Sequence, residues 1–266
     1  MKLLVAQNER EALNPMLLFT ESHAQKIAGE FPDLKIVVAK KEELGRHVGD
    51  ADVVIALSPL DVAIEVAKCL KWIHVTSAGV DRHEALMKSD ILVTNSSGVH
   101  SIPIAEHVFG FMLMFARNLN HALKFQIAGR WVRNVGIQNI SELHGKTIGI
   151  IGLGRIGKKI AELAKAFNMQ VLAVVRQPRQ EKNVDRLFTQ EKLNEVLRLS
   201  DYVVSCLPLT KETRHMFDSR KFSLMKSSAF FINIGRGGTV KEEDLVKALK
   251  ERKIAGAGLD VFEYQK

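Results

Sequence analysis

Three glycines in the middle of the chain have the spacing of a phosphate-binding turn. Gly152, Gly154 and Gly157 form the pattern G-x-G-x-x-G. The first allows a tight turn, the second leaves room for the backbone to approach a pyrophosphate, and the third lets a helix pack closely on a strand. A helix that begins at such a turn presents free N–H groups and a positive dipole end to a phosphate. The pattern therefore predicts a dinucleotide site.

The surrounding residues predict the strand and the helix that this site requires. Residues 147–151 are an apolar run typical of a strand, and apolar residues at helical spacing follow over 156–164. A second strand is predicted over 170–175. A glycine-rich turn alone is weak evidence, but its place between a strand and a helix favours a dinucleotide site over an ordinary turn.

The end of the second strand indicates which dinucleotide is bound. NAD-binding units usually place Asp or Glu there, about 20 residues on, to hold the ribose 2′-hydroxyl. Here that position is Val175, and Arg176, Gln177, Pro178 and Arg179 follow it. Because the planar guanidinium group suits a 2′-phosphate, we predict NADP (NADPH) as the preferred cofactor and NAD as the alternative. Two solvated surface arginines are the competing interpretation.

Length and composition limit the class of protein. The chain has 266 residues, 46% of them apolar, which suffices for a large core and two domains. It contains no apolar run of about 18 residues and no signal-peptide pattern, so we expect a cytoplasmic protein without membrane contact. Cys69 and Cys206 have no C-x-x-C partner, and neither a disulfide framework nor a metal site is predicted. The net charge of +8 is spread along the chain, so no nucleic-acid partner is expected.

Strand and helix patterns alternate in both halves of the chain, which predicts an α/β fold of two doubly wound parallel-sheet domains. The predicted strands are 3–6, 34–39, 53–57, 72–75, 91–94, 147–151, 170–175, 202–206, 229–234 and 255–261. The predicted helices are 15–29, 41–48, 61–69, 83–88, 155–167, 190–199, 219–225 and 241–251. An apolar helical segment, 104–119, and a predicted loop, 135–143, form the crossover between the domains.

Three further segments follow predicted strands, at the sheet edge where ligands bind in such folds. The small residues at 76–80 can expose consecutive backbone N–H groups as a carboxylate nest. Leu207 and Pro208 can line the nicotinamide side. Arg236 lies between glycines that leave a ligand unobstructed, and its guanidinium can bind a carboxylate bidentately and polarise a neighbouring carbonyl. The alternative for 76–80 is an ordinary turn of small residues, and the alternative for Arg236 is an exposed loop arginine without a ligand.

Together these segments resemble the D-isomer-specific 2-hydroxyacid dehydrogenase family over the whole length of the chain. The motifs that carry the resemblance are Ser-Ala-Gly-Val-Asp (77–81), Ala-Glu-His (105–107), Gly-Leu-Gly-Arg-Ile-Gly (152–157), Leu-Pro-Leu-Thr (207–210), Asn-Ile-Gly-Arg-Gly (233–237) and Gly-Leu-Asp-Val-Phe (258–262). The resemblance implies a flavodoxin-like substrate-binding domain over 1–100, completed in the family by a C-terminal helix, and a Rossmann-like NAD(P)-binding domain over 101–266. It also implies an active site in the cleft between them and a homodimer paired through about 100–140.

The resemblance assigns roles to individual residues. The family's catalytic arginine falls on Arg236, its nicotinamide-amide acceptor on Asp260, and its substrate-carboxylate loop on Ala78, Gly79 and Val80. The remaining cofactor contacts that it implies are Gly152, Gly154, Arg155, Ile156, Gly157, Leu207, Pro208, Ile234 and Gly235. The segment 176–179 resembles the NADPH-dependent glyoxylate/hydroxypyruvate reductases, which implies reduction of a small 2-oxo acid.

The last residues depart from the family pattern. The family's proton donor is a His in a Pro-His motif beyond the Leu-Asp-Val-Phe segment, and this sequence contains no Pro-His motif. The family's second catalytic acid, a Glu, aligns with the neutral Gln265, and Glu263 lies two residues before it. We expect a truncated form of an enzyme about 50 residues longer, with a non-catalytic dinucleotide-sensing protein as the alternative. A general acid is worth about 100- to 10,000-fold, so the chain is expected to turn over slowly or not at all, with His100 as the one conceivable substitute.

Overall fold

The chain folds into two compact units, Met1–Val99 and His100–Lys266. The structure is a computed structural model that describes residues 1–7, 18–56, 66–79, 90–133, 140–177 and 180–263. Val80, Pro178, Arg179 and Gln265 lie outside the described residues, as do the predicted helix 83–88 and most of the predicted helix 61–69. Each unit is built on one parallel sheet with helices, which confirms the predicted α/β class.

The first unit has five parallel strands in the order β2-β1-β3-β4-β5, which is the flavodoxin-like order. The strands are β1 (Lys2–Gln7), β2 (Lys35–Lys40), β3 (Val53–Ala56), β4 (Trp72–Val75) and β5 (Leu92–Asn95). The helices described in this unit are α1 (Glu21–Glu30) and α2 (Leu44–His47), the latter preceded by a 3-10 turn, Lys41–Glu43. Strand β1, which lies between β2 and β3, is apolar and buried over residues 3–6, as a strand covered on both faces must be.

The second unit has six parallel strands in the order β11-β10-β9-β6-β7-β8. This is the strand order of two mononucleotide-binding halves that meet at β6 and β9. The strands are β6 (Thr147–Ile151), β7 (Gln170–Val175), β8 (Arg186–Thr189), β9 (Tyr202–Ser205), β10 (Phe230–Asn233) and β11 (Gly256–Leu259). The helices are α3 (Ser101–Ala116), α4 (Leu119–Ile127), α5 (Arg155–Ala166), α6 (Leu193–Leu199), α7 (Ser219–Phe222) and α8 (Glu242–Lys250), with 3-10 turns at Gln190–Lys192 and Gly237–Thr239.

Strand β8 is absent from the sequence-based prediction. It is four residues long and lies at the edge of the sheet, paired only with β7. Phe188 is buried and Arg186 forms an ion pair with Glu195 at 3.1 Å. A four-residue segment with charge at its start has too little alternation to stand out from a loop.

Helix α3 is packed against the second sheet through aromatic rings. The ring of Phe115 stacks on Phe230 at a centroid distance of 4.5 Å, and Phe230 stacks on Tyr202 at 5.6 Å. Phe111 lies directly over Gly258, where an added Cβ would come within 2.8 Å of the ring.

Among the described residues, no helix combines the length and the apolar character needed to cross a bilayer.

Candidate active site

The glycine turn has the geometry that each of its three positions was predicted to need. Gly152 has φ of +98°, in the region where side chains are strained. Gly154 begins α5 as its N-cap, and nothing lies within 4 Å of the position a Cβ would take. A Cβ on Gly157 would instead clash with the carbonyl oxygen of Gly152. The turn is therefore tight beneath the helix and open above it, a cradle that fits a pyrophosphate.

Two strand-end loops meet this turn at the point where the strand order reverses. The N–H of Cys206 donates to the Ile151 carbonyl at 2.9 Å, so the loop after β9 runs beside the turn after β6. A cavity of about 600 Å³ opens there, and its walls include Gly152, Gly154, Arg176, Gln177, Leu207 and Pro208. In open α/β sheets this crevice is where ligands bind.

No carboxylate directly follows the end of β7, the position where a dinucleotide-binding unit would hold the ribose. Val175 is buried, with 8% of its surface exposed, and Arg176 and Gln177 after it are exposed. Glu212, on the loop after β9, lies close enough to Arg176 for the positive charge of Arg176 to affect its ionisation. The pKa of Glu212 lies below its usual range, first because Thr210 donates to it and further because of the positive charges of Arg176 and Lys211.

The loop that carries Arg236 is fixed by buried side chains. Asn233 is fully buried, donates from Nδ2 to the Arg236 carbonyl at 3.0 Å, and accepts the Gly235 N–H at 3.2 Å. The Oγ1 of buried Thr239 donates to the same carbonyl at 2.7 Å. The guanidinium Nη1 donates to the Gly235 carbonyl at 2.9 Å. These bonds hold the backbone of Arg236 in one conformation at the carboxyl end of β10.

The glycines beside Arg236 are required by packing, and the prediction that they serve to leave a ligand unobstructed is not needed to explain them. A Cβ on Gly235 would clash with the carbonyl oxygen of Leu207. A Cβ on Gly237 would clash with the backbone of Phe262 and Glu263. The loop is thus pressed between the segments that follow β9 and β11.

Glu263 connects these segments by hydrogen bonds. Its side chain is 11% exposed, and its two oxygens lie 2.6 Å from Arg214 Nη2 and 2.8 Å from His215 Nε2. Its backbone N–H donates to a carboxylate oxygen of Glu242 at 2.6 Å. The backbone N–H of His215 in turn donates to the Gly238 carbonyl at 2.9 Å. This cluster ties the end of β11 to the Arg236 loop, and sequence reasoning did not predict it.

Asp260 follows β11 at the same edge of the sheet. Its Oδ1 lies 3.5 Å from Nε2 of His107 on α3, and both side chains are about half exposed. The imidazole of His107 packs edge-on against Phe111 at 4.6 Å, which fixes its position. His107 belongs to the motif at 105–107, and no local sequence signal predicts its contact with Asp260.

In the first unit, the predicted nest lies in the loop after β4. Asn95 Nδ2 donates to the Ala78 carbonyl at 2.9 Å, and Ser77 Oγ donates to the Gly79 carbonyl at 2.8 Å. The Thr76 N–H donates to the Ala56 carbonyl at 3.1 Å. The loop is therefore tied to the ends of β3 and β5, and the side chain of Asn95 supports its backbone.

Cys206 directly precedes Leu207, which lines the candidate cofactor cavity, and it lacks the properties of a nucleophile. Burial raises the pKa of its thiol to about 12. The thiolate, which is the reactive form, is therefore scarce at neutral pH.

Residues 109–266 match the family described as "D-isomer specific 2-hydroxyacid dehydrogenase, NAD binding domain". The chain belongs to the D-isomer-specific 2-hydroxyacid dehydrogenase family. This confirms the resemblance drawn from the motifs, and it identifies the cofactor class as a nicotinamide dinucleotide.

Two relatives and one solved structure show how far the similarity extends. The chain is 37% identical over 252 residues to a D-3-phosphoglycerate dehydrogenase of Methanocaldococcus jannaschii, an alignment that covers 90% of this chain and 47% of that protein. It is 38% identical over 233 residues to a glyoxylate reductase of Pyrococcus furiosus, which covers 84% and 69%. A family protein from Aeromonas salmonicida subsp. salmonicida has a similar structure, with a TM-score of 0.84, 31% identity, and coverage of 99% of this chain and 82% of that one. The chain thus spans about half of the first relative and about two thirds of the second.

Within the second unit, the structure brings the predicted family residues to one sheet edge. Arg155 and Ile156 are the first residues of α5, directly after the glycine turn. Ile234 donates its N–H to the Ser205 carbonyl at 3.2 Å, which continues the sheet into the loop of Gly235 and Arg236. Asp260 donates its N–H to the Asn233 carbonyl at 3.0 Å. Ala78 and Gly79 belong to the first unit.

Proposed function

We propose that this chain is a reductase that transfers a hydride from NADPH to a small 2-oxo acid such as glyoxylate or hydroxypyruvate. The observation that carries the proposal is the position of Arg236. It follows β10 on a loop locked by Asn233 and Thr239, at the same carboxyl edge as the glycine turn. The similarity to a glyoxylate reductase supports the substrate class.

The residues of this edge fit a dinucleotide. The open face above Gly154 and the N–H groups at the start of α5 would receive the pyrophosphate. Leu207, Pro208, Ile234 and Gly235 would line the nicotinamide side, and the carboxylate of Asp260 would accept a hydrogen bond from its amide. The bound cofactor supplies the hydride.

Arg236 has the chemistry to bind and activate the substrate. Its guanidinium presents parallel donors that match a carboxylate bidentately, and it carries a permanent positive charge. The same charge stabilises the negative charge that develops on the ketone oxygen, a contribution typically worth about 100- to 1,000-fold in rate. Because Asn233 and Thr239 fix the backbone, little ordering of the loop is required at the moment of reaction.

The proposal assigns a role to each unit. The first unit is the substrate-binding domain, and its loop at 78–80 supplies backbone donors to the substrate carboxylate. The second unit is the cofactor domain. The absence of an acid at the end of β7 and the presence of Arg176 support NADPH over NADH. A cytoplasmic location belongs to the same proposal.

We also propose that the chain forms a homodimer through the region of about 100–140. Helix α4 exposes Leu119, Leu123 and Ile127, which are four residues apart and so share one face, with exposed fractions of 53%, 53% and 79%. Trp131 follows with 93% of its surface exposed. A contiguous apolar patch of this kind marks an interaction surface, and a second copy of the chain is the partner that a symmetric interface would use.

The dimer is tested by sedimentation equilibrium of the wild type and of Ile127→Asp. The variant should be monomeric at concentrations where the wild type is dimeric, because a charge would be buried in the interface. Val246→Asp on α8 is the matched control, since Val246 is 48% exposed and lies outside the patch. A monomeric wild type would refute this part of the proposal.

The reductase is tested by following NADPH oxidation after addition of glyoxylate or hydroxypyruvate. We expect slow, saturable turnover that falls by about 100-fold or more in Arg236→Ala, in line with the loss of one charge-stabilising group. Arg198→Ala, a change on an exposed face of α6, is the matched control and should turn over like the wild type. Wild-type turnover that Arg236→Ala leaves unchanged would contradict the reductase, whereas NADPH binding without any turnover would fit a truncated reductase as well as the dinucleotide-sensing alternative.

A further inference from the structure

Two lysines on helix α5 hold the connection between β7 and β8 against the helix. Lys158 and Lys165 are seven residues apart, which is two turns, so they lie on the same side of α5. Lys158 Nζ lies 3.0 Å from Glu181 Oε2. Lys165 Nζ lies 2.9 Å from both oxygens of Asp185. The connection that begins with Arg176 is therefore fastened at two points.

The two fastening points differ in where they lie. Asp185 also accepts the Val171 N–H at 2.7 Å, which places it at the amino end of β7, away from the cofactor edge. Lys158 belongs to the first turn of α5, the turn that follows the glycines. Glu181 is therefore the acid of the connection that is held beside the cofactor end of the helix.

The environment of Glu181 shows that its charge is enclosed. Its side chain is 8% exposed. It lines a cavity of about 440 Å³ together with Arg155, Lys158, Lys159 and Lys182. This cavity is separate from the one that Arg176 and Gln177 line, so the two ends of the connection face different spaces.

The charge of Glu181 matters because of what an acid does near the ribose. A carboxylate at the end of β7 would accept a hydrogen bond from the ribose 2′-hydroxyl of NADH and would repel the 2′-phosphate of NADPH. Between Val175 and Asp185, the sequence offers Glu181 as its one acid. Where that carboxylate lies therefore bears directly on cofactor choice.

We propose that Lys158 is a positioning residue that sets cofactor choice by holding Glu181 away from the ribose 2′ position. The proposal rests on the proposed function, since it concerns the dinucleotide site of that reductase. With the ion pair formed, Arg176 is left to face the 2′ position and NADPH is favoured. Without it, Glu181 loses one of the cations that surround it, its carboxylate is held less firmly away from the ribose, and its charge disfavours the 2′-phosphate.

The test is the ratio of NADPH to NADH dissociation constants, measured by the fluorescence of the reduced nicotinamide in the full chain. Lys158→Met should weaken NADPH relative to NADH by about fivefold to tenfold, as expected for one unit charge moved near a phosphate. Glu181→Gln should leave the ratio at the wild-type value or shift it further toward NADPH. The double variant should return the ratio to within about twofold of the Glu181→Gln value, because Lys158 acts through Glu181.

Lys165→Met is the matched control. It breaks the other fastening point on the same helix face and should lower the melting temperature without moving the ratio. If Lys158→Met weakens both cofactors equally, or if the double variant keeps the full defect of Lys158→Met, the proposal is wrong, because Lys158 then has a general structural role or contacts the phosphate itself. A wild type that prefers NADH would refute the cofactor choice of the proposed function, while a shift of the ratio in Lys158→Met would still support the role of the ion pair.

Discussion

The two alanine substitutions Gly157→Ala and Gly154→Ala add the same methyl group to the same turn and should differ in their effect on stability. At Gly157 the methyl would press on the carbonyl oxygen of Gly152 and on Ile150 Cγ2, 3.3 Å away. The first of these is backbone, so α5 must move outward from β6 to make room. At Gly154 nothing lies within 4 Å, and the methyl would stand in the open space above the turn.

The magnitudes follow from these contacts. Overpacking of a rigid site typically costs about 1–3 kcal/mol, and for a domain of this size about 2 kcal/mol lowers the melting temperature by roughly 4–8 °C. Gly154→Ala should cost at most about 1 kcal/mol, since Ala is a poorer N-cap than Gly. Loss of one hydrogen bond to a charged pyrophosphate is worth about 1.5–3 kcal/mol, so Gly154→Ala should weaken NADPH by about 10- to 100-fold.

Thermal unfolding followed by circular dichroism and titration of NADPH fluorescence separate the two effects. Gly157→Ala should lose stability and, because the turn itself is displaced, binding as well. Gly154→Ala should keep its melting temperature within a few degrees and lose binding. A stable Gly157→Ala would show that the helix does not rest on the turn, and normal NADPH binding by Gly154→Ala would show that the pyrophosphate does not approach there.

Three further predictions concern single side chains away from the glycine turn. Asn233→Ala should lower the free energy of unfolding by about 1–3 kcal/mol in urea denaturation, because the buried Gly235 N–H loses its acceptor; a loss below about 0.5 kcal/mol would contradict this. Burial raises the pKa of Asp185, but the hydrogen bonds from Val171 and Lys165 outweigh it and keep that pKa below the ordinary 3.8, so its contribution to stability is present above that pH and is lost as the pH falls below it. Asp185→Asn should therefore show a smaller drop in melting temperature than the wild type between pH 6 and pH 3, and an equal drop would refute the assignment. Iodoacetamide at pH 8 should alkylate the exposed Cys69 and spare the partly buried Cys206, whose thiol has a pKa of about 12, and mass spectrometry that finds both modified would contradict the raised pKa of Cys206.

The fold was predictable from the sequence because its strands are apolar and its turns contain glycine at fixed spacing. The strand 147–151 and the strand 170–175 agree with β6 and β7 at both ends. The helix boundaries are less accurate. The predicted helix 219–225 begins at Ser219, where Asp218 caps it, but it ends at Phe222. Residues 223–225 continue as turns, and no apolar period in the sequence distinguishes them from the helix.

The site was predictable where one residue type has one use, and it was missed where distant segments meet. The conformation of the glycine turn was predictable because its spacing lies between a strand and a helix, and the place of Arg236 was predictable because it follows a predicted strand; their roles stay predictions. The cluster of Glu263, Arg214 and His215 joins residues 48 and 49 positions apart, and nothing local marks it. The same holds for Lys158 and Glu181, whose pairing depends on how α5 lies beside the connection after β7.

The most direct test of the whole account is an equilibrium titration of the wild-type chain with NADPH and with NADH, followed by nicotinamide fluorescence. We expect saturable binding of one dinucleotide per chain, with NADPH bound more tightly than NADH. Tighter binding of NADH would contradict the role of Arg176 at the ribose. Binding of neither dinucleotide would contradict the central claim that the turn at 152–157 is a dinucleotide site.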